Sequence, residues 1–278
     1  MYIPKRAELA GKVAVVTGVT RRAGLGAAIA RELVEAGAAV FVTHFREYDR
    51  RQTWGVAPGE PESILAALGE QGAGIELDLS SRSAAADVFN QAESRFGPVD
   101  ILINNAAHWE PGGIRQVSAE QLDRHFAVNT RAAVLLCSEF VQRRRPGVGG
   151  RIINVTSGQG QEPMPGEVAY AVTKAGLDAL TLSLAADLLT LGVTVNAIDP
   201  GPIDTGWMTA DVRARLTSAS PTGSLARPED LSSVVRLLCA ETAAGITGRI
   251  IRIQSEGAVE SLKPELAGHA TTVIGDRR

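Results

Sequence analysis

Short runs of apolar residues alternate along the chain with segments in which apolar and polar residues repeat at helical spacing. The segment Leu25–Ala36 illustrates the helical pattern, and Gly37 follows it as a C-terminal capping residue. The apolar runs predict strands at Val13–Val16, Val40–Thr43, Ile75–Leu77, Ile101–Ile103, Ile152–Val155, Val193–Ala197 and Ile250–Ile253. The periodic segments, with their capping residues, predict helices at Leu25–Ala36, around Ile64–Leu68, from Ser80 or Ser81 to Phe96, from Ser118 toward Arg143, at Tyr170–Leu191 and from Pro228 to Cys239.

Strands that are this short and almost entirely apolar are typical of a parallel sheet that helices cover on both faces. The predicted fold class is therefore α/β, with a single doubly wound, Rossmann-type parallel sheet of about seven strands. No repeat or linker divides the sequence, so we expect one domain over residues 1–278 with its core at about 9–257.

Two regions depart from the alternation of strands and helices. Residues 46–62 are polar and contain Trp54 together with several Gly and Pro residues, so they are interpreted as an inserted surface loop. The C-terminal tail 258–278 has little periodicity and is also interpreted as surface loop.

Composition and charge exclude several classes of protein. The net charge of −3 argues against nucleic acid as the main partner, because nucleic-acid binding requires a clustered positive field. No apolar stretch approaches the ~18 residues of a membrane span, and the N-terminus lacks the layout of a secretion signal. Cys137 and Cys239 lie in apolar helical patterns and are interpreted as buried hydrophobic residues. We expect a soluble cytoplasmic protein without a metal site.

A glycine-rich turn separates the first predicted strand from the first predicted helix, from Thr17 to Gly26. Glycines there allow the backbone to approach a pyrophosphate, and a helix N-terminus offers free N–H groups, so the turn favours dinucleotide binding over a simple tight connection. The second strand ends without the acidic residue that would bind the ribose hydroxyls of NAD. Arg21, Arg22 and Arg46 could instead form a basic pocket, which favours NADP(H) over NAD(H).

Tyr170 and Lys174 are four residues apart and share one face of a predicted helix. A free tyrosine has a pKa of about 10, and a nearby ammonium group lowers the pKa of the phenol by stabilising the phenolate. Ser157 follows a predicted strand at the carboxyl edge of the sheet, where its hydroxyl can donate to a substrate carbonyl.

These motifs, taken together and in order, resemble those of the short-chain dehydrogenase/reductase family, in particular its 3-oxoacyl-carrier-protein-reductase-like branch. The resemblance covers about residues 9–257 and rests on six motifs: the turn Thr17–Gly26, Asp78, Asn104–Ala107, Asn129, the set Ser157, Tyr170 and Lys174, and the turn Pro200–Gly201 with Thr205.

The resemblance implies a role for each motif. Tyr170 is expected to be the general acid in reduction and the general base in oxidation, with Ser157 polarising the carbonyl. Lys174 is expected to hold the nicotinamide ribose and tune Tyr170, while Asn129 anchors a water in a proton relay. The cofactor-binding residues that we expect are Gly18, Arg21, Arg22, Gly24, Leu25, Gly26, His44, Arg46, Asp78, Leu79, Asn104, Asn105, Ala106, Tyr170, Lys174, Pro200, Gly201, Ile203 and Thr205.

The sequence departs from the family pattern at three places. The glycine-rich turn has two additional residues, Ala107 stands where the family usually has glycine, and the segment at residues 46–62 is longer than usual. We hypothesise that this segment folds beside the lengthened turn at the adenosine end of the cofactor.

Candidate substrate-facing residues follow three of the predicted strands. Their aromatic and Met side chains suit an apolar substrate body, and their few polar groups suit its orientation. The candidates are His108, Trp109, Gln159, Glu162, Met164, Trp207 and Met208. The predicted activity is interconversion of a ketone and a secondary alcohol with NADP(H). The alternatives are elimination or isomerisation on the same scaffold, or a non-catalytic NADP-binding sensor. Family habit predicts a homodimer or homotetramer.

Overall fold

A computed structural model describes residues 8–144, 148–160, 163–220 and 222–254. Its centre is one sheet of seven parallel strands in the order β3-β2-β1-β4-β5-β6-β7. The strands are β1 (Val13–Val16), β2 (Ala39–His44), β3 (Gly72–Glu76), β4 (Ile101–Asn104), β5 (Gly150–Val155), β6 (Val193–Asp199) and β7 (Ile250–Arg252). The strand order reverses between β1 and β4, which is the switch point where doubly wound sheets bind ligands.

Helices cover both faces of this sheet, which confirms the predicted fold class. They are α1 (Leu25–Glu35), α2 (Arg46–Arg51), α3 (Glu60–Leu68), α4 (Ala84–Phe96), α5 (Ala119–His125), α6 (Ala133–Gln142), α7 (Val168–Asp187), α8 (Ala210–Ala219) and α9 (Pro228–Cys239). A π-helix at Phe126–Ala132 joins α5 to α6.

The core is divided into two layers because successive residues of each strand point to opposite faces of the sheet. In β1, Ala14 and Val16 pack with α1 and α9 on one face, while Val13 and Val15 pack with α4 and α6 on the other. Strands buried on both faces explain the nearly continuous apolar runs in the sequence.

Several predicted elements differ from the structure, and three of these differences lie near the predicted site residues. The helix expected from Ser80 or Ser81 begins at Ala84, because Ser80 N–H bonds the Asp78 carboxylate and Ser81 N–H bonds the Asp78 carbonyl in a turn. The predicted loop 46–62 contains α2, and α3 begins within it at Glu60. Acidic residues early in α2 and arginines at its end match the helix dipole, which stabilises this short helix.

The third difference lies in the long helix predicted from Ser118 toward Arg143. Ser118 caps its start, as expected, by accepting a hydrogen bond of 3.2 Å from the N–H of Gln121. The π-helix interrupts the segment at Phe126–Ala132, and Asn129 lies within it. Single π-turns inside α-helices are frequent at functional sites. The tail 258–278 lies outside the described residues.

Candidate active site

The glycine-rich turn after β1 packs against the segment that follows β4. Gly18 has φ +76°, and a Cβ there would lie 2.7 Å from the Cα of Ala106. The Thr17 hydroxyl accepts hydrogen bonds from the N–H groups of Asn105 and Ala106, both at 3.0 Å. The Asn105 amide returns bonds to the carbonyls of Thr17 at 2.7 Å and Gly18 at 3.1 Å. These contacts hold the two segments in close apposition at the switch point.

The backbone at the start of α1 is packed as closely as the backbone at Gly18. A Cβ at Gly26 would lie 2.6 Å from the carbonyl oxygen of Gly18 and 2.8 Å from the Asn105 amide nitrogen. Gly24 is the N-cap residue of α1. Because glycine has no side chain, it cannot cap the first N–H groups of the helix. A backbone cradle of this kind at a helix N-terminus fits the pyrophosphate of a dinucleotide. The two additional residues of the turn therefore leave Gly18, Gly24 and Gly26 at the cradle.

Replacing Gly18 with alanine is expected to destabilise the fold by about 1–3 kcal/mol, because alanine resists positive φ and its methyl group would meet Ala106. Gly11→Ala is the matched control: Gly11 has nearly the same φ, +77°, but nothing lies within 4 Å of its added Cβ. Urea unfolding measures both variants. Equal losses in the two variants would contradict the close packing of the turn on Ala106.

Residues predicted to contact the adenosine of the cofactor lie where β2 and β3 finish. His44 ends β2, and its Nδ1 atom is buried without a hydrogen-bond partner. Burial, with the charge of Arg46, lowers the pKa of His44, so its imidazole is neutral at pH 7. Asp78 follows β3, where one of its carboxylate oxygens accepts the Ser80 N–H at 2.8 Å, and Leu79 is buried. An unpartnered polar atom in a buried position fits a bound polar ligand.

The three arginines predicted to form one basic pocket are divided between two places. Arg46 pairs with Glu62 and Glu76. Arg22 also faces α3, where its Nε donates to the Ser63 hydroxyl at 2.9 Å. Arg21 instead bonds Asp49 and the carbonyl of Thr205. The structure thus brings two of the three arginines to the α3 side.

Arg21 connects three segments at the sheet edge. Its Nε donates to the Asp49 carboxylate at 3.0 Å, its Nη1 donates to the Thr205 carbonyl at 2.7 Å, and its guanidinium lies 5.2 Å from the centre of the Trp54 ring. Asp49 is buried and also accepts a bond of 2.9 Å from Trp54 Nε1. The inserted helix α2 therefore folds beside the lengthened turn, as hypothesised, and Arg21 joins that turn to the turn that carries Thr205.

That second turn follows β6 and contains the predicted Pro-Gly motif. Gly201 has φ +59°, and its N–H bonds the buried carboxylate of Asp199 at 2.9 Å. Pro200 precedes it, and Ile203 is buried, so the turn is fixed at the carboxyl end of β6. Thr205 lies in the same turn, opposite the glycine cradle that Arg21 joins to it.

Lys174 lies beneath Tyr170 on α7 and is only 2% exposed. Its Nζ donates to the Val155 carbonyl at 2.7 Å and lies 5.9 Å from the centre of the Tyr170 ring. Burial lowers the pKa of Lys174 to about 8, since the charged form is poorly solvated there. The residue is therefore cationic at neutral pH and loses its charge in mildly alkaline solution.

Tyr170 and Ser157 meet at the edge of the sheet. Burial raises the pKa of Tyr170 to about 12, and a hydrogen bond with Ser157 partly opposes this shift. The sequence alone suggests a lowered pKa, but desolvation raises the pKa of Tyr170 in this structure, and the negative charges of Glu167 and Asp199 act in the same direction. The phenol is therefore protonated at neutral pH, which suits a proton donor.

Asn129 uses its side chain to hold the loop after β4. Its Oδ1 accepts the N–H of His108 at 2.6 Å, and its Nδ2 donates to the His108 carbonyl at 2.9 Å and to Thr173 Oγ1 at 3.0 Å. Thr173 adjoins Lys174 on α7, so Asn129 links the loop to the helix that carries Tyr170. The structure thus brings all four predicted catalytic residues to one end of α7.

The residues predicted to face the substrate differ in their location and exposure. His108 and Trp109 lie in the loop after β4, and Trp207 is 43% exposed in the turn after β6. The Gln159 carboxamide instead donates to Asp178 at 2.7 Å. Met208 is buried and Met164 half-buried, while Glu162 lies outside the described residues.

Sequence reasoning missed Tyr48 and Asp49, which project from α2 toward the two loops of the site. Tyr48 bonds Trp109, and Asp49 bonds Arg21. The sequence signal for them is the insertion itself, whose length exceeds the usual family pattern.

Two properties of the described ranges bear on the class of site. No group of three or more His, Cys, Asp or Glu side chains in these ranges could hold a metal ion. Nor does any helix in them combine the length and the apolar character of a membrane span.

Comparison with known proteins extends the resemblance seen in the motifs. A family model described as Enoyl-(Acyl carrier protein) reductase matches residues 18–255. The oxidoreductase YjdA of Bacillus subtilis (strain 168) is 39% identical over 88% of this chain and 96% of its own length. The 3-oxoacyl-[acyl-carrier-protein] reductase FabG of Aquifex aeolicus (strain VF5) is 34% identical over 88% of this chain and 97% of its own.

Solved structures agree with these sequence relatives. The short-chain dehydrogenase/reductase from Serratia marcescens BCRC 10948 is 31% identical with a TM-score of 0.79, covering 88% of this chain and 97% of that one. The angucycline C-6 ketoreductase LanV with bound NADP is 29% identical with a TM-score of 0.78, covering 88% and 95%. The chain therefore belongs to the short-chain dehydrogenase/reductase family of oxidoreductases, among relatives that include 3-oxoacyl-carrier-protein reductases.

Proposed function

We propose that this oxidoreductase uses NADP(H) to interconvert a ketone and a secondary alcohol. The observation that carries the proposal is the hydrogen-bonded pair of Tyr170 and Ser157, with the Lys174 ammonium beside the phenol ring. The pair lies at the same sheet edge as the glycine cradle, so a proton donor and a dinucleotide site adjoin each other. The similar structure of LanV, a ketoreductase with bound NADP, supports the same assignment.

Each residue of the site has a separate task in reduction. When bound, NADPH supplies the hydride that the carbonyl carbon accepts. Ser157 donates a hydrogen bond to the carbonyl oxygen and orients it, and Tyr170 delivers its phenolic proton to that oxygen to give the alcohol. Lys174 stabilises the phenolate left on Tyr170 by its charge. The pKa of Tyr170 is raised to about 12, so the phenol carries its proton at neutral pH and can donate it to the carbonyl oxygen.

Residues of the cradle and the two turns would hold the cofactor. Gly18, Gly24, Leu25 and Gly26 present backbone to the pyrophosphate. We assign the adenosine moiety to His44, Asp78, Leu79, Asn105 and Ala106, and the nicotinamide half to Tyr170, Lys174, Pro200, Gly201, Ile203 and Thr205.

The preference for NADP(H) is assigned to Arg22 and Arg46. Their double replacement with alanine should weaken NADPH binding by about 10- to 100-fold, because hydrogen bonds to a charged phosphate are among the stronger ones. NADH has no 2′-phosphate, so its affinity should change little. Fluorescence titration with both cofactors measures the effect, and Arg51→Ala, at the exposed end of α2, is the control. Equal losses for NADPH and NADH would overturn this assignment.

We also propose that the enzyme is a homodimer or homotetramer in the cytoplasm. Exposed apolar side chains along α5, α6, the π-helix and α7 support self-association: Leu122, Phe126, Val134, Val172 and Leu182. Sedimentation at micromolar concentration should give two or four chains per particle. A monomer would contradict the oligomer, and the location stays a prediction from the sequence.

The proposed activity is tested with a panel of ketones and alcohols, following absorbance of the nicotinamide. The substrate classes that we would include are 3-oxoacyl thioesters, cyclic or polyketide-type ketones, and sugars or polyols. Oxidation of NADPH that depends on a ketone supports the proposal. Turnover of a substrate without any change in the nicotinamide would favour elimination or isomerisation, and binding of NADPH without turnover of any panel member would favour a sensor.

A further inference from the structure

The segment after β4 lies in the candidate site without regular secondary structure. Residues 105–110 form neither helix nor strand, so the position of their backbone depends on individual hydrogen bonds to side chains. This segment carries His108, whose backbone N–H and carbonyl both bond Asn129, and Trp109, which follows it.

Two side chains each bond both backbone groups of one residue in this segment. Asn129 bonds both backbone groups of His108, its N–H at 2.6 Å and its carbonyl at 2.9 Å. Tyr48 does the same for Trp109: its hydroxyl accepts the N–H at 3.0 Å and donates to the carbonyl at 3.4 Å. Consecutive residues of one loop are thus fixed by a residue of the π-helix and by a residue of α2.

Tyr48 is suited to this contact in two further respects. Its ring lies 5.2 Å from that of His108, at the tilted angle that aromatic pairs adopt. Burial raises the pKa of Tyr48, with a smaller contribution from Tyr170, so the hydroxyl stays protonated and can donate and accept at once.

The neighbouring residue fixes the position of α2. Asp49 is buried and binds Arg21 at 3.0 Å and Trp54 at 2.9 Å, both through one carboxylate oxygen. Arg21 continues to the Thr205 carbonyl at 2.7 Å. Adjacent residues of one short helix therefore contact the loop after β4 and the glycine-rich turn, so α2 has little freedom to move relative to either.

We propose that Tyr48 is a positioning residue for the substrate: it holds the His108–Trp109 segment as a wall of the carbonyl pocket, so that the inserted helix α2 helps to determine which carbonyl compound is accepted. The inference rests on the proposed reductase function and deepens it. It gives α2 a role in substrate binding through Tyr48, in addition to the role in cofactor binding proposed for Arg46. Tyr48 acts through the loop, and the proton donor remains Tyr170.

The test variant is Tyr48→Phe, which keeps the ring against His108 and removes both bonds that Tyr48 makes with Trp109, while the bond of 3.5 Å from Gln52 Nε2 to the Trp109 carbonyl stays. Hydrogen exchange of the Trp109 amide should become about three- to tenfold faster, as expected for loss of one neutral hydrogen bond. The Glu110 amide is the internal reference, because it bonds His125 Nε2 at 3.1 Å and should exchange at an unchanged rate. Arg51→Ala, on the exposed side of the same helix, is the control variant.

Kinetics of the same variant distinguish positioning from a general structural effect. With a ketone that the wild type reduces, KM should rise about three- to tenfold, whereas kcat and the Kd for NADPH should stay within about twofold. Unchanged exchange at Trp109, or an unchanged ketone KM, would overturn the proposal. So would a loss of NADPH affinity as large as the rise in KM, which would assign Tyr48 to the cofactor site rather than to the substrate.

Failure of the proposed function has a different signature. The wild type would then fail to oxidise NADPH with any ketone of the panel. The exchange measurement still applies in that case, and faster exchange at Trp109 with a stable Glu110 amide would establish the contact while rejecting its role in carbonyl binding.

Discussion

Replacing Tyr170 with phenylalanine is expected to lower carbonyl turnover by about 10²–10⁴-fold, the usual contribution of a positioned proton donor. The ring fills the same volume, and the affinity for NADPH should remain within about twofold. The loss arises because phenylalanine lacks the hydroxyl that is hydrogen-bonded to Ser157 and donates the proton. Single-turnover reduction, paired with fluorescence titration of NADPH, separates chemistry from binding.

Retained turnover in Tyr170→Phe would contradict the assigned proton donor. The matched control is Tyr48→Phe, which removes a hydroxyl from the same region but should leave kcat within about twofold. A loss of NADPH binding equal to the loss of turnover would show that Tyr170 supports the cofactor site rather than the chemistry.

The second large effect is expected for Lys174→Met, which should lower turnover by at least about 10²-fold. Methionine approximates the length and volume of the lysine stem but removes the charge that stabilises the Tyr170 phenolate. In the wild type, the reduction rate should fall as pH rises through about 8, where Lys174 loses its proton. The methionine variant should lack this step in its pH profile, and its persistence would assign the step to another group.

Whereas the reduction rate should fall as pH rises through the pKa of Lys174, the stability of the fold should increase. The folded-state pKa of Lys174 lies below its value of 10.5 in the unfolded chain, so burial of the charged form destabilises the fold below pH 8. This cost is relieved as pH rises from about 8 to 10.5. Lys174→Met should therefore exceed the wild type in stability at pH 7, by up to about 3 kcal/mol before the lost bond to Val155 is subtracted. The difference should shrink above pH 8, as measured by urea unfolding.

Much of the fold and the motif positions could be predicted because their signals are local. Strands such as β1 and β5 are apolar runs, and the spacing of Tyr170 and Lys174 places them on one face of a helix. Gly18 and Gly26 are required by close backbone contacts, and their place between a strand and a helix identifies the turn.

The features that could not be predicted depend on contacts between distant residues. The Arg21–Thr205 bond joins positions that are 184 residues apart, and the Tyr48–Trp109 bond joins positions that are 61 apart. Neither the spacing nor the periodicity of the sequence encodes such pairs. The polar composition of residues 46–62 suggested a loop for the same reason. The tertiary contacts of Asp49, which stabilise the helix α2, are not visible in the sequence. The raised pKa of Tyr170 likewise follows from burial, which the Tyr-Lys spacing does not reveal.

The central claim is that hydride passes between a nicotinamide and a carbonyl carbon in this site. The most direct measurement uses NADPH deuterated at C4 of the nicotinamide with a ketone from the panel, followed by mass spectrometry of the product. We expect a secondary alcohol that carries one deuterium on its carbinol carbon when the label occupies the transferred one of the two C4 positions. A product without deuterium from both C4-labelled forms, or no alcohol at all from any ketone, would contradict it.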